Sequence, residues 1–171
     1  MLRSQLFVGV CFSLIIGGAQ YAVCDETMDE DPQWPGQWQE FRAIVGQPVG
    51  SPVVQTFVTR YQLKHHTKGI AGNYSLYGEL PFSVLYGNKK VTRVVVDIDR
   101  PVDAEDKGPV FEGELPLGLS RDDLPEDVIR KLGKPAHQPE RDYLSYDHPN
   151  MVISFDRRTH RLNEICLDSE D

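Results

Sequence analysis

A chain of 171 residues, 40% of them hydrophobic, is long enough to fold around one core of ordinary size. Its mid-range composition argues against a collagen, a coiled coil or a wholly disordered protein. Its 26 acidic residues outnumber 18 basic ones, and the formal net charge of -8 argues against non-specific binding to nucleic acid or anionic lipid. This charge favours a basic protein partner.

The N-terminal residues have the parts of a signal peptide. Arg3 gives a positive start, residues 6–19 form an apolar run too short for a comfortable membrane span, and small residues precede Gln20. We predict that residues 1–19 are a signal peptide and that the mature chain is exported without a membrane span. Cleavage after Cys24 is a second choice, and a retained N-terminal anchor is the alternative.

Cleavage before Gln20 would leave two cysteines in the mature chain. Cys24 would lie near the new N-terminus, and Cys166 lies in the last apolar segment. A disulfide between them is possible in an oxidising compartment, and a buried, unpaired Cys166 is the alternative. The residues before Cys24 make a poor lipidation signal, because they lack the small residue that should precede the cysteine.

The rest of the chain contains a repeat. Residues 20–40 read as an acidic N-terminal arm that Trp34 and Trp38 anchor to the body. Beyond the arm, residues 73–99 and 142–168 align without a gap, with apolar residues at matching positions. We therefore predict repeat 1 over residues 41–99, a polar linker over 100–113 and repeat 2 over 114–171.

Each repeat is predicted to be one helix followed by a meander of three antiparallel strands. The first helix has Ser51 as its N-cap and Pro52 in its first turn. The second begins either with a capping box at Ser120 or at Pro125, and Gly133 ends it. Alternating apolar residues then indicate strands with one buried face. The predicted fold class is α+β, with both meanders in one antiparallel sheet and both helices on one face.

A run of short motifs resembles known exported modules. The motifs are Gly118–Asp123, Val128–Pro135, Tyr143–Asp147 and Val152–Asp156. They are similar to secreted β-lactamase inhibitor proteins and bacterial antitoxin-type immunity proteins, and also to outer-membrane assembly lipoproteins of the SmpA/OmlA type. Two copies and the absence of a proper lipobox fit the inhibitor kind better. That resemblance implies a concave sheet face pressed onto an enzyme.

Catalytic and metal-binding patterns are absent from the sequence. There is no nucleophile motif, phosphate-binding loop, dinucleotide fingerprint or EF-hand, and Cys166 lies mid-strand, where a buried thiol is usually inert. Residues 97–106 are acidic and read as a charged linker rather than a calcium site. The histidines fall in predicted loops without metal-ligand spacing: His65, His66, His137, His148 and His160. We predict no enzyme activity, no cofactor and no metal.

The face of the sheet opposite the helices is predicted to bind a protein partner. It would be half apolar and open to solvent, and exposed apolar surface of this kind is typical of protein-binding sites. Tyrosines of the first strands would add contact area at little entropic cost, although ordinary strand packing is the alternative for each of them. The predicted partner-binding residues are Tyr74, Tyr77, Ser83, Leu85, Arg93, Tyr143, Tyr146, Ser154 and Glu164.

These expectations favour a periplasmic inhibitor or immunity protein that blocks a toxic or degradative enzyme. The bacterial assignment comes from the resemblance. An envelope-assembly or structural adaptor of the outer membrane is the main alternative, and a small-molecule or metal-binding module is a third.

Overall fold

The computed structural model describes residues 33–68, 71–75, 79–100, 108–137 and 142–170. Within these residues the α-helices are α1 (Gln37–Ile44), α2 (Pro52–Arg60) and α3 (Pro125–Leu132), and a short 3-10 turn spans Pro116–Gly118. The strands are β1 (Lys64–Lys68), β2 (Ala71–Ser75), β3 (Phe82–Gly87), β4 (Lys90–Asp97), β5 (Tyr143–Asp147), β6 (Asn150–Phe155) and β7 (Leu162–Asp168). None of the described helices is long and apolar enough to cross a membrane.

All seven strands form one sheet in the order β1-β2-β3-β4-β7-β6-β5, and every neighbouring pair is antiparallel. The α+β class with an antiparallel sheet is therefore confirmed. We call the pairing of β4 with β7 the seam of the sheet, and in it Val94 lies opposite Leu167. This pairing joins the N-terminal strands to the C-terminal ones in a single surface.

The two halves of the sheet differ in detail, and the repeat stays a prediction. Among the described residues, the N-terminal half has two helices and four strands, whereas the C-terminal half has one α-helix and three strands. The aligned residues Tyr74 and Tyr143 also differ in register, because Tyr74 lies opposite Val84 whereas Tyr143 lies opposite Ser154. Tyr74 therefore occupies the position that Leu144 holds in the other half.

Two elements were not expected from the sequence. Helix α1 begins inside the predicted arm, where Trp38, Phe41 and Ile44 recur at helical spacing among glutamines and charged residues and are all buried. Strand β1 contains His65 and His66, which were expected in a loop. Its sequence Lys-His-His-Thr-Lys has no apolar alternation, so pairing with β2 rather than side-chain burial holds it in the sheet.

The helices cover one face of the sheet. Residues paired across neighbouring strands point to the same side, and one such row runs through Phe82, Val96, Ile165, Ile153 and Leu144, which are at most 3% exposed. Rings of α1 and α2 pack on this row, since Phe41 and Phe57 lie with their centroids 5.0 and 5.8 Å from that of Phe82. Helix α3 joins the same core through the fully buried Val128.

The helix boundaries follow from proline and glycine. Helix α2 begins at Pro52 after Ser51, as predicted, although the Ser51 hydroxyl makes no capping hydrogen bond. Helix α3 begins at Pro125, so the later of the two predicted starts is the correct one. The earlier motif instead closes a turn, in which the Ser120 amide donates to Asp123 Oδ2 at 2.8 Å. Gly133 ends α3 with a φ of 85°, a conformation that favours glycine.

The segment between the halves is held to the body by side chains. Trp38 Nε1 donates to the carbonyl of Glu114 at 3.0 Å, and Arg121 Nη1 donates to the carbonyl of Ile98 at 2.7 Å. Arg121 Nη2 also donates to the carbonyl of Phe111. These bonds position the chain that leads from β4 into α3.

Candidate protein-binding face

The sheet has a second face that no described helix covers. Strand register defines it, because it carries the residues that alternate with the buried rows. We call this surface the open face. Three of its rows are Asp97, Glu164, Ser154 and Tyr143; then Ser83, Val95, Cys166, Val152 and Ser145; then His66, Asn73, Leu85, Arg93 and Asp168. Lys64 on β1, Asp147 on β5 and Asn150 on β6 belong to the same face by alternation.

Six of the nine residues predicted to bind a partner lie on the open face, namely Ser83, Leu85, Arg93, Tyr143, Ser154 and Glu164. Leu85 is 36% exposed, and the other five are half-buried. Whether they bind a partner stays a prediction. Tyr77 lies outside the described residues.

Two of the predicted residues belong to the other face. Tyr74 and Tyr146 are only 8% and 5% exposed, and they lie opposite the core residues Val84 and Met151. Burial raises the pKa of both phenols. The reason is the period of two along a strand: Tyr143 and Tyr146 are three residues apart and therefore point to opposite faces. Their placement on the open face is corrected accordingly.

An ion pair crosses the seam of the open face. Arg93 Nε lies 2.5 Å from Asp168 Oδ1, and Arg93 Nη2 lies 2.8 Å from Asp168 Oδ2. This two-point contact raises the pKa of the Arg93 guanidinium. Each charge thus has its counterion within the face, so a partner could cover the pair without leaving either charge unpaired.

Cys166 lies at the centre of the face, between Val95 and Val152. Its residue is 3% exposed and its thiol is free, and Sγ donates to Glu164 Oε1 at 3.3 Å. Burial, followed by the nearby Glu164 carboxylate, raises the pKa of this thiol strongly, so that it stays protonated at neutral pH. Cys24, the other half of the possible disulfide, lies outside the described residues.

One end of the open face is acidic. Glu164 lies directly opposite Asp97 on β4, and like charges in this position repel each other. Arg100 offsets part of that repulsion, because its Nη2 lies 3.3 Å from Asp97 Oδ2. On the strands themselves the open face carries four carboxylates, those of Asp97, Asp147, Glu164 and Asp168, against the cationic side chains of Arg93 and Lys64.

Among the other residues of the face, Val152 is expected there from its alternation with Ser154, whereas Val95, Asp97 and Asp168 were not among the predicted partner-binding residues. The signal that could have found these three is again the period of two. Starting from Arg93, the positions two and four residues later are Val95 and Asp97, and starting from Glu164 the position four residues later is Asp168.

The part of the chain that the structure describes contains no group of three metal-ligating side chains. The five histidines are exposed at separate places: His65, His66, His137, His148 and His160. A surface cleft of about 740 Å³ lies beside the start of α1, lined by Pro35, Gln37, Pro81 and residues 108–114, and none of these is on the open face.

The chain was also compared with known proteins. Comparisons with protein-family models, with curated proteins and with solved structures found no match. A functional proposal for this protein therefore depends on its own residues and on the resemblance described above.

Proposed function

We propose that this protein is an exported inhibitor or immunity protein that binds a toxic or degradative enzyme in the bacterial periplasm and blocks it. The observation that carries the proposal is the open face, in which Val95 and Val152 lie between two rows that carry charges and Leu85 lies beside Arg93 in one of those rows. The resemblance to secreted inhibitor and immunity proteins supports the same use of a sheet face.

The size of the open face suits a protein partner. Strands spaced about 4.8 Å apart and three rows of side chains about 7 Å apart give roughly 30 Å by 20 Å, or about 600 Å². A standard interface buries about 800 Å² on each partner, so the face and its adjoining loops suffice. An open surface of this size fits another protein better than a small molecule, which needs an enclosing pocket.

Charge indicates what kind of protein would bind. The whole chain has a formal net charge of -8, and four carboxylates lie on the open face. Such a surface attracts a basic partner and speeds the encounter, while the apolar centre supplies most of the affinity. We therefore expect a basic enzyme, with lysine or arginine side chains facing Asp97 and Glu164.

The experiment uses a matched pair of variants. Ser154→Arg introduces a long cation beside Glu164 at the acidic end of the open face, and Thr59→Arg introduces the same side chain at an exposed position of α2. The unmodified protein should capture an enzyme from periplasmic extract and inhibit it in proportion to the amount added. Ser154→Arg should lose both effects, whereas Thr59→Arg should keep them.

Two negative results together contradict the proposal. The protein would recover no enzyme, and deletion of its gene would not make cells more sensitive to a toxin encoded by a neighbouring gene. The alternative of an envelope-assembly adaptor predicts different results from the same experiments. It predicts stable association with outer-membrane proteins and a permeability defect on deletion, without inhibition of an enzyme.

A further inference from the structure

The two edges of the sheet are not equivalent. Beyond β5, residues 136–137 add a short bridge: the Ser145 amide donates to the His137 carbonyl at 3.0 Å, and the Ala136 amide donates to the Ser145 carbonyl at 2.9 Å. At the opposite edge, β1 pairs with β2, and no described residue pairs with its outer side. An unpaired edge offers a row of backbone donors and acceptors to an incoming strand.

Strand β1 is held rigidly although it is exposed. The His65 ring stacks on the Tyr86 ring with centroids 5.3 Å apart and lies 5.2 Å from the Tyr74 ring. The Tyr86 hydroxyl hydrogen bonds to His65 Nε2 and also donates to the His66 carbonyl at 3.3 Å. These contacts fasten β1 to β3 across β2. A strand that is already ordered loses little entropy when another strand joins it.

Charge selects the strand that would join. In a strongly acidic chain, β1 reads Lys-His-His-Thr-Lys and has no acidic residue, and Lys64, His65, His66 and Thr67 are all exposed. No ion pair joins Lys64 to another described residue. A second copy is a poor occupant, because antiparallel pairing of β1 with itself would place Lys64 opposite Lys68, and like charges directly opposite are destabilising.

We propose that β1 is a strand-addition site for an extended acidic peptide of a partner protein, which would become an eighth strand of the sheet. Backbone hydrogen bonds along the outer edge of β1 would hold the peptide, and carboxylates on one face of the peptide would lie beside Lys64 and His66, which share a face of β1. This site lies at the edge of the sheet and binds a ligand of opposite charge to the one proposed for the open face. The two proposals therefore stand or fall separately.

The test is a titration of the full chain with a blocked, labelled heptapeptide of alternating glutamate and valine. Binding should shift the backbone amide signals of His65, His66 and Thr67 in the NMR spectrum. Lys64→Glu should weaken binding about three- to tenfold, because it replaces an attraction by a repulsion. The matched control is Lys134→Glu, which reverses the charge of an exposed lysine beyond α3 and should leave binding unchanged.

A second peptide separates strand addition from simple charge attraction. Methylation of every backbone nitrogen keeps the carboxylates and removes all backbone donors, so this peptide should not bind. Equal binding of both peptides overturns the proposal, as does amide shifting confined to β4, β6 and β7. A second copy as the occupant of β1 also overturns the proposal. The sign would be a dimer that forms with increasing protein concentration and that Lys64→Glu leaves as strong or makes stronger.

Discussion

Arg93 and Asp168 lie directly opposite each other on β4 and β7 and form a two-point ion pair across the seam of the sheet. They are 75 residues apart in the chain. The pair therefore joins the N-terminal strands to the C-terminal ones on the open face, while buried apolar residues join them on the face that the helices cover. Asp168 has a side chain only 19% exposed, so solvent screens this pair less than a fully exposed one.

Replacement of Asp168 should destabilise the protein measurably. We expect Asp168→Asn to lower the free energy of unfolding by about 1 kcal/mol, because it removes a charge-assisted contact that is partly open to solvent. Urea unfolding followed by circular dichroism measures the change. Asp122→Asn is the control, since Asp122 is 76% exposed and lies 3.2 Å from Arg161. Equal effects of the two variants would contradict this account of the seam.

Gly72 is required by the ring that crosses it. A Cβ at this position would collide with the Tyr86 ring, which passes over Gly72 to reach His65. We expect Gly72→Ala to cost about 1–3 kcal/mol through overpacking and to expose the β1 amides to hydrogen exchange. Gly87→Ala is the control, because its Cβ would meet only Thr92 at 3.7 Å. A stable variant with unchanged exchange at β1 would refute the prediction.

Asp127 should make stability depend on acid pH. Its carboxylate accepts hydrogen bonds from the Leu124 amide at 3.2 Å and from Arg130 Nη2 at 2.5 Å, and these lower the pKa of Asp127. A lowered pKa in the folded state means that the stabilisation is complete above the unfolded value and is lost as the pH falls through the folded value. The difference in stability between the unmodified protein and Asp127→Asn should therefore be constant above about pH 5 and should shrink below about pH 4.

Thermal unfolding between acid and neutral pH measures this difference. Glu126→Gln removes a charge from the same turn of α3, where no described hydrogen bond involves its side chain. Its profile should stay parallel to that of the unmodified protein. A constant effect of Asp127→Asn at every pH would show that the carboxylate does not carry the stabilisation.

Cys166 should resist thiol reagents in the folded protein. Its residue is 3% exposed, and burial raises the pKa of the thiol, so both access and the reactive thiolate are lacking. In a chain with Cys11→Ser and Cys24→Ser, we expect modification by Ellman's reagent to be at least about a hundredfold slower than in denaturant. Fast reaction without unfolding would mean that the centre of the open face is more accessible than the structure indicates.

Much of the fold could be predicted because its signals are local. Pro52 after Ser51 marks the start of α2, and Gly133 marks the end of α3. Alternating apolar residues mark β3 and β6. Buried positions alternate with more exposed ones along all of β6 and over the first four residues of β3. These features depend on a few neighbouring residues, so the sequence alone contains them.

The remaining features depend on partners that are distant in the chain. Strand β1 has no apolar alternation, and it is a strand because β2 pairs with it and because Tyr86 holds His65. The burial of Trp38 depends on its contact with the carbonyl of Glu114, 76 residues away. The misplaced tyrosines are a different case, since strict application of the period of two would have assigned Tyr146 to the core.

The position of β7 has a consequence for biosynthesis. Residues 162–168 follow the other six described strands in the chain, yet they form an interior strand of the sheet, between β4 and β6. Until they emerge from the ribosome, the growing polypeptide holds two incomplete half-sheets, each with a bare inner border that can pair with a neighbouring chain. A stop codon before Leu162 should therefore yield insoluble aggregates rather than a smaller working protein.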